Sequence, residues 1–219
     1  MDMTRTPAPE VQVDVWSDIV CPWCAIGRAR IRRAAAESGV RLRMVHHAFE
    51  LRPEEQGGRT TVDVLAERYG GPDRVREMTK RVRDLAQLDG LVLRTDETTS
   101  ANTFDAHRLV AWAQGLGKGD ALVERITAAH FTDLQDVSDH AVLRAAAEAV
   151  GLDGEPAAHV LATGGHADVV RADEDQARQI GISGVPFFVL DGRLGVSGAQ
   201  SVEVFKQALA QAQDRTTSS

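Results

Sequence analysis

Val11, Val13 and Val15 alternate with Gln12 and Asp14, and Trp16 closes the run before the polar pair Ser17-Asp18. A period of two over six residues predicts a strand over 11–16. Four residues on, the period lengthens to that of a helix, in AIGRARIRRAAAESG, which predicts a helix over 22–38. Pro22 fits its first turn, where a missing N–H costs nothing, and Gly39 supplies a left-handed cap at its end. RLRMVHHAFE then predicts a second strand over 41–50. Strand, helix and strand joined this closely imply a parallel unit with a right-handed crossover.

From Leu51 the pattern is helical throughout, broken by glycines. SANTFDAHRLVAWAQGLG, KGDALVERITAAHFTDLQD and SDHAVLRAAAEAVGLD each read as amphipathic helices, the last with Ser138 as its cap. Residues 155–165 carry no assigned element, and ADVVRADEDQARQIG is a further helix ending at Gly181. Strand signals return only at 187–190 and 193–196, where Asp191-Gly192 marks a hairpin, before a last helix over 202–213. Strands at both ends with helices between them predict one sheet assembled from the two termini. The expected division is a discontinuous α/β domain, 10–52 with 168–213, and a helical insertion over 53–167. Residues 1–9 and 214–219 are expected to be flexible tails.

Composition narrows the function classes. The chain has 219 residues, 43% hydrophobic and 26% charged, with net charge −7, as for an ordinary soluble protein. The densest basic run, Arg28, Arg30, Arg32 and Arg33, reads as a solvated helix face, so no nucleic-acid partner is expected. No stretch is long and apolar enough to span a membrane. MDMTRTPAPE lacks the apolar centre of a secretory signal, and the expected location is cytoplasmic.

There are two cysteines, Cys21 and Cys24, in CPWC at the strand-to-helix junction. In a reducing compartment such a pair is reactive or metal-binding rather than a passive staple. A helix N-terminus favours the thiolate of Cys21, and a second thiol one turn away can release it after it attacks a disulfide. Trp23 between them adds no cation, and Asp18 would oppose the thiolate if close. A reduction potential between about −270 mV and about −120 mV is expected. A zinc site would need histidines to complete the ligand set, yet the adjacent His46 and His47 point to opposite faces of a strand, so no metal is expected.

Three separated features, CPWC after WSD, the GVPFFVLDG entry to the hairpin, and the helical block with SANTFDAHRL and AHFTDLQDVSD, resemble the DsbA-like branch of the thioredoxin superfamily. The likeness, over 11–212, is to its FrnE-type oxidoreductases, relatives of 2-hydroxychromene-2-carboxylate isomerase and kappa-class glutathione transferase. It implies an α/β thioredoxin-like fold with an inserted all-helical subdomain. It also implies Cys21 as nucleophile, Cys24 as resolving cysteine and a cis peptide before Pro186, the third catalytic residue. Val185, whose backbone is free to pair with an extended substrate, Trp23, His107 and Asn102 are the expected substrate-binding residues. Phe49 and Leu51 are candidates for an apolar groove, and Gly198–Gln200 for a carboxylate site. The implied activity is thiol–disulfide exchange with a disulfide-containing protein or a small thiol or disulfide. The chain would act as a monomer or homodimer without a cofactor beyond the cysteine pair, with glutathione as a candidate co-substrate. The alternative is a glutathione-dependent isomerase or transferase of a small aromatic or polyketide-like molecule, although those relatives usually carry serine at the position of Cys21.

Overall fold

The computed structural model describes residues 8–216, so residues 1–7 and 217–219 of the expected tails lie outside the described residues. β1 (Glu10–Ser17), α1 (Pro22–Ser38) and β2 (Arg41–Ala48) form the expected parallel unit, with β1 and β2 in register from Glu10 against Arg41 to Ser17 against Ala48. The chain is already held at Pro9, whose carbonyl accepts from Arg41 N at 2.9 Å, so the ordered part begins before residue 10. β2 ends at Ala48 rather than Glu50. Just beyond it Phe49 N still donates to the Ser17 carbonyl at 3.2 Å, after which Asp18 takes the Leu51 N–H and the chain leaves the ladder, while Asp173 Oδ2 takes the Ala48 N–H.

Seven helices separate β2 from the hairpin: α2 (Thr61–Tyr69), α3 (Pro72–Leu88), α4 (Phe104–Gly115), α5 (Gly119–Phe131), α6 (His140–Ala149), α7 (Gly154–Thr163) and α8 (Ala167–Gln179). The unassigned stretch at 155–165 is therefore a helix. Asp153 caps α7 by accepting from Glu155 N at 2.9 Å, and Gly164 closes it in the left-handed conformation. The cap of α6 is Asp139, not Ser138: Asp139 Oδ1 accepts from Ala141 N, while the Ser138 hydroxyl turns back to Asp136. β3 (Phe187–Leu190) and β4 (Leu194–Ser197) follow, with Asp191 and Gly192 both at positive φ in the turn. α9 (Val202–Thr216) runs three residues beyond the expected end.

The sheet order is β2-β1-β3-β4, with β3 antiparallel to β1 and to β4. The pleat divides β1 between two faces. Val11, Val13 and Val15 join Ile31 of α1, Phe188 and Leu190 of β3, and Phe205 and Leu209 of α9 in one core. Trp16 faces the other way, packs with Ala177 and Ile182, and donates its indole N–H to the Asp173 carbonyl at 3.2 Å. Leu109, Leu122, Ile126, Leu143 and Leu161 centre a second large core among the helices, which also takes Ile19 from the loop after β1. The loop bearing the cysteines is thus wedged between the sheet core and the helical core.

The arginine run on α1 is not a solvated face. Arg28 is buried with Nη2 3.4 Å from Thr127 Oγ1, Arg30 pairs with Asp89, and Arg32 bridges Asp120 and Glu124. Arg33 is exposed and pairs with Glu37. α1 therefore docks into the molecule through its cations as well as its apolar side.

Candidate active site

β1 runs into a turn in which Cys21 N donates to the Asp18 carbonyl at 3.2 Å. Cys21 is the N-cap residue of α1 in an extended conformation, and its carbonyl accepts from Cys24 N at 3.0 Å. The first turn of α1 holds no acidic residue, so its unpaired N–H groups and positive dipole end are not neutralised there. Both thiols are free, Cys21 5% and Cys24 4% exposed.

Equal burial conceals different surroundings. Cys21 opens onto a cavity of about 240 Å³ bounded by Val20, Pro22 and Trp23 from the loop, Leu51 and Arg52 after β2, and side chains of α2, α3 and α5. Cys24 is not among the walls. Burial, then the neighbouring Cys21 and the charge of Asp18, push the Cys24 thiol well above its ordinary value. One sulfur meets the cavity and the other is held protonated behind it.

On its other side Cys21 Sγ lies 3.9 Å from the carbonyl oxygen of Val185, and the Val185–Pro186 peptide is cis, as the resemblance implies. α1 comes this close to the proline because position 27 is glycine; a Cβ there would lie 3.1 Å from Pro186 Cγ and 3.0 Å from Phe188 Cζ. Ile182 to Phe187 line a separate groove with Ser197 and Gly198, so a chain laid along Val185 would occupy a different face from the cavity.

The four expected substrate-binding residues separate. Val185 and Trp23 flank Cys21, and Trp23 is 40% exposed at the cavity wall. His107 and Asn102 do not reach the cleft. His107 is buried with Nε2 3.3 Å from Asp18 Oδ1, because the β1–α1 loop docks on the face of α4 that carries it. Asn102 shapes the entry to α4, accepting from Phe104 N at 3.0 Å and donating to the Pro53 carbonyl at 3.1 Å. Leu51 lines the cavity whereas Phe49 packs with the Trp16 cluster. Asp18 is close to the thiols, as considered from the sequence. Burial alone would raise its carboxyl, but the hydrogen bond and charge of His107, with the Leu51 N–H at 2.8 Å, hold it below the ordinary range.

The sequence reading passed over His130 and Arg52. His130, on the last turn of α5, is 2% exposed, lines the cavity, and is kept neutral by burial, which lowers it to about 4. Its ring meets Phe131 edge-on, and no hydrogen bond to either ring nitrogen is found among the described residues. Arg52 faces the same space; its Nε is buried without a hydrogen-bond partner, 3.5 Å from Glu55 Oε2. The threonine hydroxyls of the wall are occupied: Thr61 with Thr98 at 2.8 Å, Thr79 with the Val75 carbonyl at 2.9 Å, Thr95 with the Thr79 carbonyl at 3.1 Å. They offer methyl groups to the interior. No group of three His, Cys, Asp or Glu arranged to hold a metal ion occurs among the described residues.

A family model described as a DsbA-like thioredoxin domain matches residues 12–210. The crystal structure of a probable DsbA oxidoreductase from Streptomyces coelicolor is 40% identical and superposes with a TM-score of 0.86, over 93% of this chain and 90% of that one. The uncharacterised protein YwbO of Bacillus subtilis is 27% identical over 207 residues, 94% of this chain and 98% of that one. The cytosolic disulfide reductase DsbM from Pseudomonas aeruginosa shares the fold at 23% identity, with a TM-score of 0.63 over 94% of this chain and 99% of that one.

Proposed function

From the premise that the chain belongs to the DsbA-like thioredoxin family of oxidoreductases, we propose that it exchanges thiols and disulfides through Cys21 as nucleophile and Cys24 as resolving cysteine. The observation that carries this reading is the asymmetry of the pair. Cys21 is at the helix N-terminus and meets the cavity, whereas Cys24 is walled off and held as a thiol by burial.

The Cys21 thiolate attacks one sulfur of a substrate disulfide; a Cys21–sulfur bond forms, the substrate S–S bond breaks, and its electron pair leaves on the other sulfur as a thiolate. Cys24 then loses its proton and attacks Cys21 Sγ, forming the Cys21–Cys24 disulfide and releasing the second substrate thiolate. Two electrons pass from the dithiol to the substrate, and the reverse sequence oxidises a substrate dithiol. The high pKa of Cys24 suits this order, since a thiol that ionises only when required does not compete for the first attack. In this reading Val185 and Pro186 would lie alongside an extended substrate attacked by Cys21, while Trp23 bounds the cavity on the other side of that sulfur. Candidate substrates are a disulfide-bearing polypeptide or a small disulfide, with glutathione as candidate recycling thiol. A reducing, cytoplasmic location is part of the same reading, supported by the use of two cysteines in 219 residues, both free. Among the described residues no helix is long and apolar enough to cross a membrane.

The test is disulfide trapping with insulin reduction. Cys24→Ser is expected to accumulate a mixed disulfide on Cys21 and Cys21→Ser to form none, both losing turnover. A Cys21→Ser protein that still reduces insulin, or a wild type with no reversible two-electron couple in glutathione buffers, overturns the reading.

A further inference from the structure

The cavity beside Cys21 is chemically lopsided. Its walls carry two arginines, Arg52 and Arg68, and no carboxylate, in a protein whose net charge is −7. Its threonine hydroxyls are occupied, so the polar groups left to meet an occupant are the His130 ring and the Nη groups of Arg52, which make no hydrogen bond among the described residues, its buried Nε lying 3.5 Å from Glu55 Oε2. Buried polar groups are nearly always hydrogen-bonded. Two polar groups without a hydrogen bond, facing one apolar space beside a reactive sulfur, point to a ligand that supplies what they lack. The Arg52 guanidinium offers only N–H donors, and a neutral imidazole carries one N–H. The missing partner is therefore an acceptor, and the excess of cations favours a negatively charged one. The rest of the wall, with Val20, Leu65 and Phe131, suits a flat or branched apolar body, and about 240 Å³ takes a single compact group.

We propose that this cavity is a subsite for a small organic disulfide or thiol whose sulfur is attached to a compact apolar body bearing a carboxylate, and that His130 and Arg52 bind the carboxylate while Cys21 attacks the sulfur. This rests on the thiol–disulfide reading and names a substrate class for it. The cavity does not include Val185 or Pro186, so the subsite is separate from the face on which an extended polypeptide would pair. The exchange is balanced as before: two electrons leave the Cys21–Cys24 dithiol, and both halves of the organic disulfide leave as thiolates.

The experiment is single-turnover stopped flow of the reduced protein with three probes: dithiobis(nitrobenzoate), an aryl disulfide carrying carboxylates; dithiodipyridine, an uncharged aryl disulfide; and hydroxyethyl disulfide. Each rate is divided by that of free glutathione with the same probe, removing intrinsic reactivity. The wild type is expected to favour the carboxylate-bearing probe, and His130→Phe and Arg52→Met each to reduce that preference about ten-fold, the factor for one hydrogen bond to a charged group. Equal normalised profiles in wild type and variants, or a wild-type preference for the uncharged aryl disulfide, overturn the proposal; the second result would assign the cavity to an apolar side chain of a polypeptide. Binding of naphthoate against naphthalenemethanol, followed by equilibrium dialysis, tests the cavity without any exchange step and in the wild type alone. Selective naphthoate binding supports the subsite even if a variant fails to fold, and no selectivity overturns it. A wild type that exchanges with none of the probes would instead refute the thiol–disulfide reading.

Discussion

Replacing Gly27 by alanine isolates the contact that holds α1 against the cis-proline. A Cβ at this position would lie 3.0 Å from Phe188 Cζ, 3.1 Å from Pro186 Cγ and 3.2 Å from Phe188 Cε2, each inside the optimal carbon–carbon separation of about 3.5–4.0 Å. Neither neighbour can retreat easily. Phe188 is fully buried and meets Phe205 edge-on with centroids 5.1 Å apart, and the Pro186 carbonyl is tied to Gly198 N at 2.8 Å. Two effects then oppose one another. Alanine in a helix interior gains about 1 kcal/mol over glycine, whereas overpacking a core typically costs about 1–3 kcal/mol. With both contacts made to rings, overpacking wins, and a net loss of about 1 kcal/mol is expected, or roughly 2–4 °C in Tm for a chain of this size. Gly115 at the end of α4 is the control: nothing lies within 4 Å of its added Cβ and its φ is not left-handed. Gly115→Ala should therefore gain up to about 1 kcal/mol. Urea unfolding followed by far-UV circular dichroism measures both. The alkylation rate of Cys21 reports whether Pro186 and Val185 have moved from the sulfur, and it is expected to change only in Gly27→Ala. A Gly27→Ala protein stabilised as much as Gly115→Ala, with unaltered alkylation, would refute the claim that the approach of α1 to Pro186 is tight.

The acid side of the stability curve should carry the signature of His130. Its folded value of about 4 lies below the ordinary imidazole value of 6.5, so the unfolded chain binds protons that the folded chain refuses as the pH falls below about 6.5. The loss reaches about 3 kcal/mol by pH 4. His46, also lowered by burial, and Asp18, whose depressed value makes it lose stability as the pH falls, act in the same direction. His47 acts oppositely: Asp173 and Asp14 raise it against the effect of burial, so its contribution is present below about 6.5 and lost as the pH rises through its folded value. Urea unfolding at several pH values should show His130→Phe flattening the acid limb, and a limb as steep as in the wild type would disprove the assignment. Asp18→Ala leaves His107 and the Leu51 N–H without their partner and is expected to cost about 3–5 kcal/mol, with Asp18→Asn costing less because it keeps an acceptor. A double-mutant cycle with His107→Ala checks this, since an additive result would mean the two residues are not coupled. Asp18→Asn also removes a negative charge that raises Cys24, so the Cys24 thiol should titrate at a lower pH than in the wild type when followed by thiolate absorbance. An unchanged or higher value would contradict that sign.

What the sequence disclosed and what it concealed follow from the range of the interactions involved. The β1–α1–β2 unit and the hairpin are legible because each is specified by neighbours: alternating valines, Pro22 at a helix start, Gly39 in the left-handed region, Asp191-Gly192 in a two-residue turn. The same kind of signal existed for α7, in Asp153, Pro156 and Gly164, but its short, small-residue body gave little periodicity between them. At α6 two capping residues stood side by side, and where the backbone turns chose Asp139 over Ser138. The site divides along the same line. Cys21 and Cys24 are placed by one strand and one helix, so their junction could be recognised from a dozen residues. His107 was assigned to the cleft by likeness, yet a residue one layer back can look identical in sequence to one that lines the surface, and only the docking of Asp18 on α4 distinguishes them. The cavity walls come from five separated stretches, around residues 20–23, 51–52, 61–82, 95–98 and 130–131, and no period connects them. His130 and Arg52 acquire meaning only when α5 and the segment after β2 meet over Cys21. The features that specify attack on a disulfide are thus local, and those that would choose which disulfide are assembled by tertiary packing. A relative could keep CPWC and change its substrate without altering any residue near the motif.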